Sequence, residues 1–191
     1  MIVTLASGLD RIERKLGFMD ANAARSNVRT IHSLRSPASE FIAHGETLQY
    51  TTEGAPQFID ITADVREVVE RSAIGFGQVA VYSMHTTVGI IVNEHEPLLL
   101  NDMSRLLART AQHDDYYEHN DFSIRTVNMR ENEPKNGHSH LQQLFLGTSE
   151  TIPVHDGEPQ IGRYQSIFLV ELDRPLDREV FVQALGMALP R

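Results

Sequence analysis

Histidine is the residue type most suited to chemistry in this 191-residue chain, which contains nine histidines and no cysteine. Imidazole titrates near neutral pH and binds metal ions, so it suits acid–base chemistry and cation binding. His138 and His140 stand one residue apart in NGHSHLQQLFLG, whereas His85 and His119 lie in separate blocks. A single histidine is more often an ordinary surface or core residue. The first question is therefore which of these four share one site.

The spacing around His140 predicts that it serves a site and that His138 does not. Ser139 and Gln142 have the spacing of a capping box, which satisfies free backbone N–H groups at a helix start. The pattern predicts a helix that begins at His140 and ends at Gly147. His138 then precedes the cap, and residues two apart on a helix point about 200° apart. The predicted buried stripe consists of Leu141, Leu144 and Phe145.

His85 lies inside QVAVYSMHTTVGIIVNE, which predicts one long central strand over residues 78–94 because both of its faces are apolar. Strict alternation would place His85 and Asn93 on one face and Glu94 on the other. In the simplest interpretation, His85 only hydrogen-bonds to a neighbouring threonine or carbonyl. In the functional interpretation it is a ligand or base beside Asn93 or Glu94. His119 is a further candidate, because loops on a rigid scaffold carry many binding groups.

The elements that position these residues point to an α+β fold. A helix is predicted after residue 61, with Thr62 as its cap and Gly75 at its end. Pro97 suits the first turn of a second helix. We expect a single compact domain with a mainly antiparallel sheet and a few helices. The predicted strands are TLQYTT, QFIDIT, TIPV, YQSIFLVEL and EVFVQALG. The predicted helical stripes are Val65, Val68 and Val69, and Leu99, Met103, Leu106 and Leu107.

Charge and composition restrict the partners. Residues 1–40 carry six Lys/Arg and four Asp/Glu, and residues 41–191 carry eleven and twenty-two, which gives the net charge of −9. An acidic domain is a poor partner for nucleic acid or anionic membranes. We expect neither partner, and the absence of a signal-like or membrane-spanning stretch predicts a soluble, cytoplasmic protein. Residues 1–40 lack periodicity and are predicted to be an N-terminal extension to a domain over residues 41–191.

Several short motifs follow one another over about residue 45 to Gly186. They are His85-Thr-Thr, Asn93-Glu94, Asp102 in a helix, Tyr117-Glu-His119, Asn136-x-x-Ser-His140-Leu, Gly147-Thr-Ser149, IPVHDG and Gly162-x-x-Gln165. Their order resembles that of the YjbQ family, the secondary thiamine-phosphate synthases. Two positions depart from the family pattern: Tyr164 stands for a tryptophan, and Leu176 replaces the first arginine of a turn whose final arginine is Arg178.

The resemblance implies an α+β homotrimer that joins a hydroxymethylpyrimidine pyrophosphate to a thiazole phosphate and releases pyrophosphate. It also implies a site of histidines and acidic groups that holds a divalent cation, Zn²⁺ or Mg²⁺, and a small phosphorylated molecule. We expect His85, His119 and His140 to converge in one pocket, with Glu94 nearby. The predicted roles are catalysis for His85, Glu94 and His119, metal binding for His85, His119 and His140, and substrate binding for Asn93, Ser149, Gln165 and Arg178.

Alternatives remain open at this point. Displacement of pyrophosphate needs cationic groups around the leaving oxygens, and the matched positions offer Arg178 but no lysine and no glycine-rich phosphate loop. A metal-dependent hydrolase and a trimeric binding protein without turnover are therefore the competing hypotheses. Gln165 and Arg178 are predicted at the rim of the pocket, and the competing interpretation of Arg178 is a salt bridge to Asp173 or Asp177.

Overall fold

A computed structural model describes residues 40–189 of the chain. Within that range the backbone forms eight strands, three α-helices and one short 3₁₀ turn at Glu118–Asn120. The predicted extension before residue 40 lies outside the described residues. The strands are β1 Phe41–Thr51, β2 Gln57–Asp60, β3 Ile74–Ser83, β4 Val88–Glu94, β5 Ser149–His155, β6 Glu158–Pro159, β7 Gln165–Glu171 and β8 Asp177–Ala188. The helices are α1 Thr62–Ser72, α2 Pro97–Thr110 and α3 Gly137–Leu146.

The strands form two antiparallel sheets. One has five strands in the order β1-β8-β3-β5-β6, and the other has three in the order β2-β7-β4. Every strand pairing within the described residues is antiparallel. The predicted α+β class with mainly antiparallel pairing is therefore confirmed.

The main core lies between the two sheets and is closed by α1. Val65, Val68 and Val69 of α1 are fully buried there, as the sequence predicted. β7 is buried on both faces, because Ile167 and Leu169 belong to this core and Phe168 packs with Leu107 of α2 on the other side. Successive side chains of β7 therefore point alternately into two apolar layers, one on each face of the sheet. Only part of the predicted α2 stripe is buried, since Leu106 is 56% exposed.

The prediction of one strand over residues 78–94 is wrong. β3 ends at Ser83 and pairs with β5 and β8, whereas β4 begins at Val88 and pairs with β7 in the other sheet. The Ser83 hydroxyl accepts a 3.3 Å hydrogen bond from the His85 amide, a local bond that competes with the strand ladder. His85 is therefore in a crossing between sheets, and the predicted face shared with Asn93 does not exist.

A second crossing lies beside the first. Residues 172–176 carry the chain from β7 in the three-stranded sheet to β8 in the five-stranded sheet. The Leu172 amide donates to the Thr87 carbonyl at 3.2 Å, which joins the two crossings directly. The two crossings therefore lie side by side at one end of the domain.

The limits of α1 differ from their prediction at both ends. Thr62 is the first helical residue, but its hydroxyl accepts the Ile167 amide at 2.8 Å instead of capping the helix. The helix ends before Ala73, whose φ of 58° is left-handed. Gly75 lies inside β3, where a Cβ would stand 2.9 Å from the Leu189 Cα. This glycine serves a close packing contact and not the helix end.

The start of α3 also differs from its prediction. The helix begins at Gly137 without a capping side chain, so the predicted capping box is wrong. The Ser139 hydroxyl donates to the Leu172 carbonyl at 2.7 Å, and Gln142 Nε2 donates to the Ala111 carbonyl at 3.0 Å. These bonds bury the polar face of α3, so its apolar face points outward. The exposed fractions are 42% for Leu141, 73% for Leu144 and 69% for Phe145.

Candidate functional site

A cavity of about 440 Å³ opens at the end of the domain where both crossings lie. Four chain segments form it: the β3–β4 crossing, the β7–β8 crossing with the start of β8, the start of α3, and the loop before α3. We call it the histidine–arginine pocket. Its lining consists of Met84, His85, Thr86, Thr87, His119, Arg125, Asn128, Arg130, Glu133, Pro134, Asn136, His140, Asp173, Arg174, Leu176 and Arg178.

His85 is held in one tautomer by the backbone of β8. Its Nε2 accepts a 2.9 Å hydrogen bond from the Glu179 amide, so a neutral ring must carry its proton on Nδ1. Burial lowers the pKa of His85, and the positive charge of Arg178 lowers it further. His85 therefore acts as a neutral hydrogen-bond donor through Nδ1 in this arrangement.

His119 and His140 form a contacting pair in the lining of the pocket. Their ring centroids are 4.6 Å apart with planes inclined at 64°. Burial lowers the pKa of His140, and the neighbouring His119 adds to that effect. Nε2 of His119 is buried and has no hydrogen-bond partner among the described residues. Both imidazoles line the pocket, and they contact each other there.

Arg178 is fixed in the pocket wall by a buried carboxylate. Its Nε and Nη2 donate to the two oxygens of Glu171 at 2.5 and 2.6 Å, and Nη2 also reaches the Thr87 hydroxyl at 3.1 Å. Glu171 has no exposed surface and also accepts the Asp173 amide at 2.8 Å. The predicted alternative of a salt bridge to Asp173 or Asp177 is wrong, because Glu171 at the end of β7 faces Arg178 near the start of β8.

Asn136 and Asp173 are pocket residues to which the sequence assigned no role. Asn136 Nδ2 donates to Asp173 Oδ2 at 3.0 Å, and Arg174 Nη1 donates to the same oxygen at 2.8 Å. Oδ1 of Asn136 is buried and has no partner among the described residues. The available signal was the position of Asn136 in the matched motif just before His140.

Arg125 was also missed, and it organises the loop that covers the pocket. Its guanidinium donates to the His119 carbonyl at 3.2 Å and to the Asn128 carbonyl at 2.9 Å. It also pairs with Glu133 at 2.8 Å, and both side chains are almost buried. Burial acts to raise the pKa of Glu133, but hydrogen bonds from the Arg130 amide and Arg125 outweigh it and lower that pKa. No periodic pattern marks such a loop, so its ordered conformation could not be predicted from the sequence.

Four predicted site residues lie outside the pocket: Asn93, Glu94, Ser149 and Gln165. Glu94 pairs with Gln165 and Asn93 with Ser166 at the far end of the three-stranded sheet. β4 leaves the pocket at Val88, and six further residues at about 3.3 Å each carry Glu94 roughly 20 Å along the strand. The expectation of Glu94 beside the histidines is therefore not met in this chain. Ser149 starts β5 opposite Tyr82 and does not line the pocket either.

His138 is enclosed next to the pocket without lining it. It is 6% exposed, its Nε2 lies 3.1 Å from the Ser139 hydroxyl, and its ring centroid is 4.6 Å from that of His113. Burial and the neighbouring His113 lower the pKa of His138. His140 thus reaches the pocket and His138 does not, although the helix starts earlier than predicted. The functional part of that prediction remains to be tested.

The three pocket histidines do not form a ready metal site. Between residues 40 and 189, no group of three His, Asp or Glu side chains is arranged to hold a metal ion. His85 directs a lone pair to the Glu179 amide, so it would have to give up that bond to become a ligand. The metal role of His85, His119 and His140 stays a prediction. The helices within the described range are all too short or too polar to cross a membrane.

Known proteins are similar to this chain over the two-sheet domain. A family model described as UPF0047 protein YjbQ-like matches residues 46–187. A UPF0047 protein from Methanothermobacter thermautotrophicus is 37% identical over 141 residues, which cover 74% of this chain and 91% of the relative. A solved YbjQ-like protein of unknown function from Sulfolobus solfataricus has a TM-score of 0.69 and 31% identity, over 77% of this chain and 99% of that one. A solved YjbQ/UPF0047 protein from Clostridium acetobutylicum has a TM-score of 0.64 and 30% identity, over 73% and 98%.

Proposed function

This chain belongs to the YjbQ-like UPF0047 family, and we propose that it binds a small phosphorylated molecule in the histidine–arginine pocket. The observation that carries the proposal is the charge of the lining. Four arginines and two carboxylates line the pocket, and a third carboxylate, the buried Glu171, pairs with Arg178, which leaves a net charge of +1 in a chain whose net charge is −9. A cationic cleft in an acidic protein concentrates anionic ligands. A volume of about 440 Å³ also lies in the usual range for small-molecule sites.

The hydrogen-bond donors on one wall suit an oxyanion. Nη1 of Arg178 has no hydrogen-bond partner among the described residues, while Glu171 holds the rest of the guanidinium in place. The Thr87 hydroxyl accepts from Arg178, which leaves its own hydrogen to donate, and His85 offers Nδ1–H. Donors held in advance around a developing negative charge stabilise it at little reorganisation cost.

We propose that the reaction is the transfer that the family resemblance implies. A thiazole ring nitrogen attacks the methylene carbon of hydroxymethylpyrimidine pyrophosphate, and the new C–N bond forms as the C–O bond breaks. The electron pair leaves with pyrophosphate, and no proton has to move in that step. Arg178, Thr87 and His85 stabilise the leaving oxygens. His119 and His140, whose rings contact each other in the pocket lining, contact the uncharged part of the substrate.

A homotrimer is the second part of the proposal. Leu141, Leu144 and Phe145 form one exposed apolar face of α3, at helical spacing and next to the pocket. Exposed apolar patches of this kind mark protein interfaces. A second copy of the chain is the partner that the family resemblance implies. We therefore place the α3 face at a subunit contact.

The test is an assay of the purified full-length chain with both phosphorylated precursors, in which thiamine phosphate and pyrophosphate are measured. We expect the two products in equal amounts, and an Arg178→Gln variant should lose about 10²-fold or more in rate, by analogy with the removal of one oxyanion donor. Glu94→Gln is the matched control, because that residue lies outside the pocket, and its rate should stay within about twofold of the unmodified chain.

The opposite pattern of activities would refute the assignment of the reaction to the histidine–arginine pocket. Loss of product in Glu94→Gln with normal turnover in Arg178→Gln would move the chemistry to the far end of the three-stranded sheet. Release of phosphate from either precursor alone, abolished by a chelator, would instead support the metal-dependent hydrolase. Tight binding of a precursor without any product would support the binding protein.

A further inference from the structure

β1 forms a free edge of the five-stranded sheet. Among the described residues only β8 pairs with β1, and it does so from Phe41 to Thr51 without a register shift. The Ala188 amide donates to the Glu40 carbonyl at 2.9 Å. Because hydrogen bonding alternates along an antiparallel strand, the even-numbered residues of β1 bond to β8. The N–H and C=O groups of the odd-numbered residues therefore point away from the sheet, towards the free edge.

This edge lacks the features that usually keep sheet edges from pairing. Such features are a very short strand, a bulge, or lysine and proline on the edge. The eleven residues of β1, FIAHGETLQYT, include neither lysine nor proline, and every second residue is exposed along the whole strand. A long, regular edge of this kind is a template for one more strand.

The side chains of β1 are complementary to those of a second β1. In an antiparallel pair of β1 strands centred on Gly45, His44 lies opposite Glu46 of the second copy. Ile42 then lies opposite Leu48 of the second copy. The His44 imidazole and the Glu46 carboxylate already bond within one chain at 2.8 Å, so the two groups suit each other. Apolar pairs and pairs of opposite charge stabilise an antiparallel ladder when they lie directly across it.

Hydrogen bonding and charge together select this register. Odd-numbered residues must face odd-numbered residues, because only their backbone groups point outward. Moving the centre by one residue to Glu46 keeps that rule but places two carboxylates opposite each other, which destabilises a ladder. Moving it to His44 places two imidazoles opposite each other and separates them from Glu46. The register centred on Gly45 avoids both and forms roughly ten backbone hydrogen bonds, two for each of five residue pairs.

We propose that β1 pairs with β1 of a second copy of the chain, antiparallel and centred on Gly45, so that two five-stranded sheets join into one sheet of ten strands. A second copy is the partner because the edge matches itself and the contact closes about a two-fold axis. β1 contributes no residue to the lining of the histidine–arginine pocket, so the contact does not depend on the proposed ligand. It is also separate from the α3 face, and the two contacts together would assemble six copies.

Disulfide cross-linking tests the register, because the chain has no cysteine of its own. Ala43 faces Thr47 of the second copy at a Cα–Cα distance of about 5.5 Å, which a disulfide spans. Co-expressed full-length Ala43→Cys and Thr47→Cys chains should therefore form a covalent dimer on mild oxidation. Ala43→Cys with Gln49→Cys is the matched control, since those Cα atoms lie roughly 9 Å apart, beyond the reach of a disulfide.

The mass of the assembly gives a second measurement that needs no disulfide. In the full-length double variant Ala43→Lys with Thr47→Lys, lysines lie opposite each other twice, so the mass from light scattering should be half that of the unmodified chain. An unchanged mass would overturn the proposal, as would a covalent dimer that forms equally well in the control mixture. No covalent dimer in either mixture would also overturn it and would leave the proposed function standing.

Discussion

At the scale of single residues, the buried pair of Glu171 and Arg178 determines the shape of the pocket wall. Glu171 has no exposed surface, and its two oxygens receive the guanidinium and the Asp173 amide. A buried charge whose partner is removed costs about 3–5 kcal/mol of stability. The pair therefore couples folding to the position of the pocket arginine.

Glu171→Gln should lower the free energy of unfolding by about 3–5 kcal/mol, because it leaves the Arg178 charge buried without its partner. Urea denaturation measures the change. Glu94→Gln is the control, since it alters an exposed side chain and should stay within about 0.5 kcal/mol. Equal effects of the two substitutions would show that the Glu171 pair is not buried as described.

The buried histidines should make stability depend on pH near neutrality. Burial lowers the pKa values of His85, His138 and His140 in the folded chain. In the unfolded chain these histidines titrate at about 6.5, so the unfolded state binds protons first as the pH falls. Stability from these groups is fully present above about pH 6.5 and is lost between that value and the lower folded-state pKa values. We expect the urea midpoint to fall between pH 7.5 and 5.5.

The double variant His138→Asn with His140→Gln supplies the comparison for that pH effect. It removes two of the three groups, so its urea midpoint should change less between the two pH values than that of the unmodified chain. A midpoint that rises on acidification of the unmodified chain would contradict the burial of these rings.

At the scale of elements, the sequence predicted the strands and helices that have a clear apolar periodicity. It did not predict the strand break and the helix start that depend on single side-chain hydrogen bonds. The strands at residues 57–60 and 165–171 followed from alternation, and α1 followed from its valine stripe. The break between β3 and β4 after Ser83 could not be predicted in this way, because the segments on both sides are equally apolar. The local sign of the break is the hydrogen bond from the His85 amide to the Ser83 hydroxyl. The capping box failed because Ser139 bonds the Leu172 carbonyl, a partner 33 residues away.

The exposed face of α3 belongs to this scale as well. If it covers a subunit contact, the double substitution Leu144→Glu with Phe145→Glu should reduce the trimer to smaller species, because two charges would have to be buried at the contact. Light scattering after size exclusion gives the mass directly. Leu98→Glu, on the exposed start of α2, is the control and should leave the mass unchanged. A monomeric unmodified chain would refute the proposed trimer.

At the scale of the whole molecule, the site results from the way two sheets exchange strands. β3 continues into the smaller sheet as β4, and β7 returns to the larger sheet as β8, so both connections open at the same end. Sequence reasoning brought His85, His119, His140 and Arg178 forward, and all four line the pocket. The sequence could not show that Glu94 and Gln165 lie at the other end of the smaller sheet. Their position depends on which strands pair and in which direction β4 runs away from the pocket.

Hydrogen–deuterium exchange of the full-length chain with and without inorganic pyrophosphate tests directly whether the histidine–arginine pocket binds phosphorylated ligands. We expect slower exchange in the two crossings, residues 84–87 and 172–176, and at the start of α3, with no change around Asn93 and Gln165. An Arg178→Gln chain should lose this protection at the same pyrophosphate concentration. Protection confined to the far end of β4 and the start of β7, or unchanged by Arg178→Gln, would show that the ligand binds elsewhere.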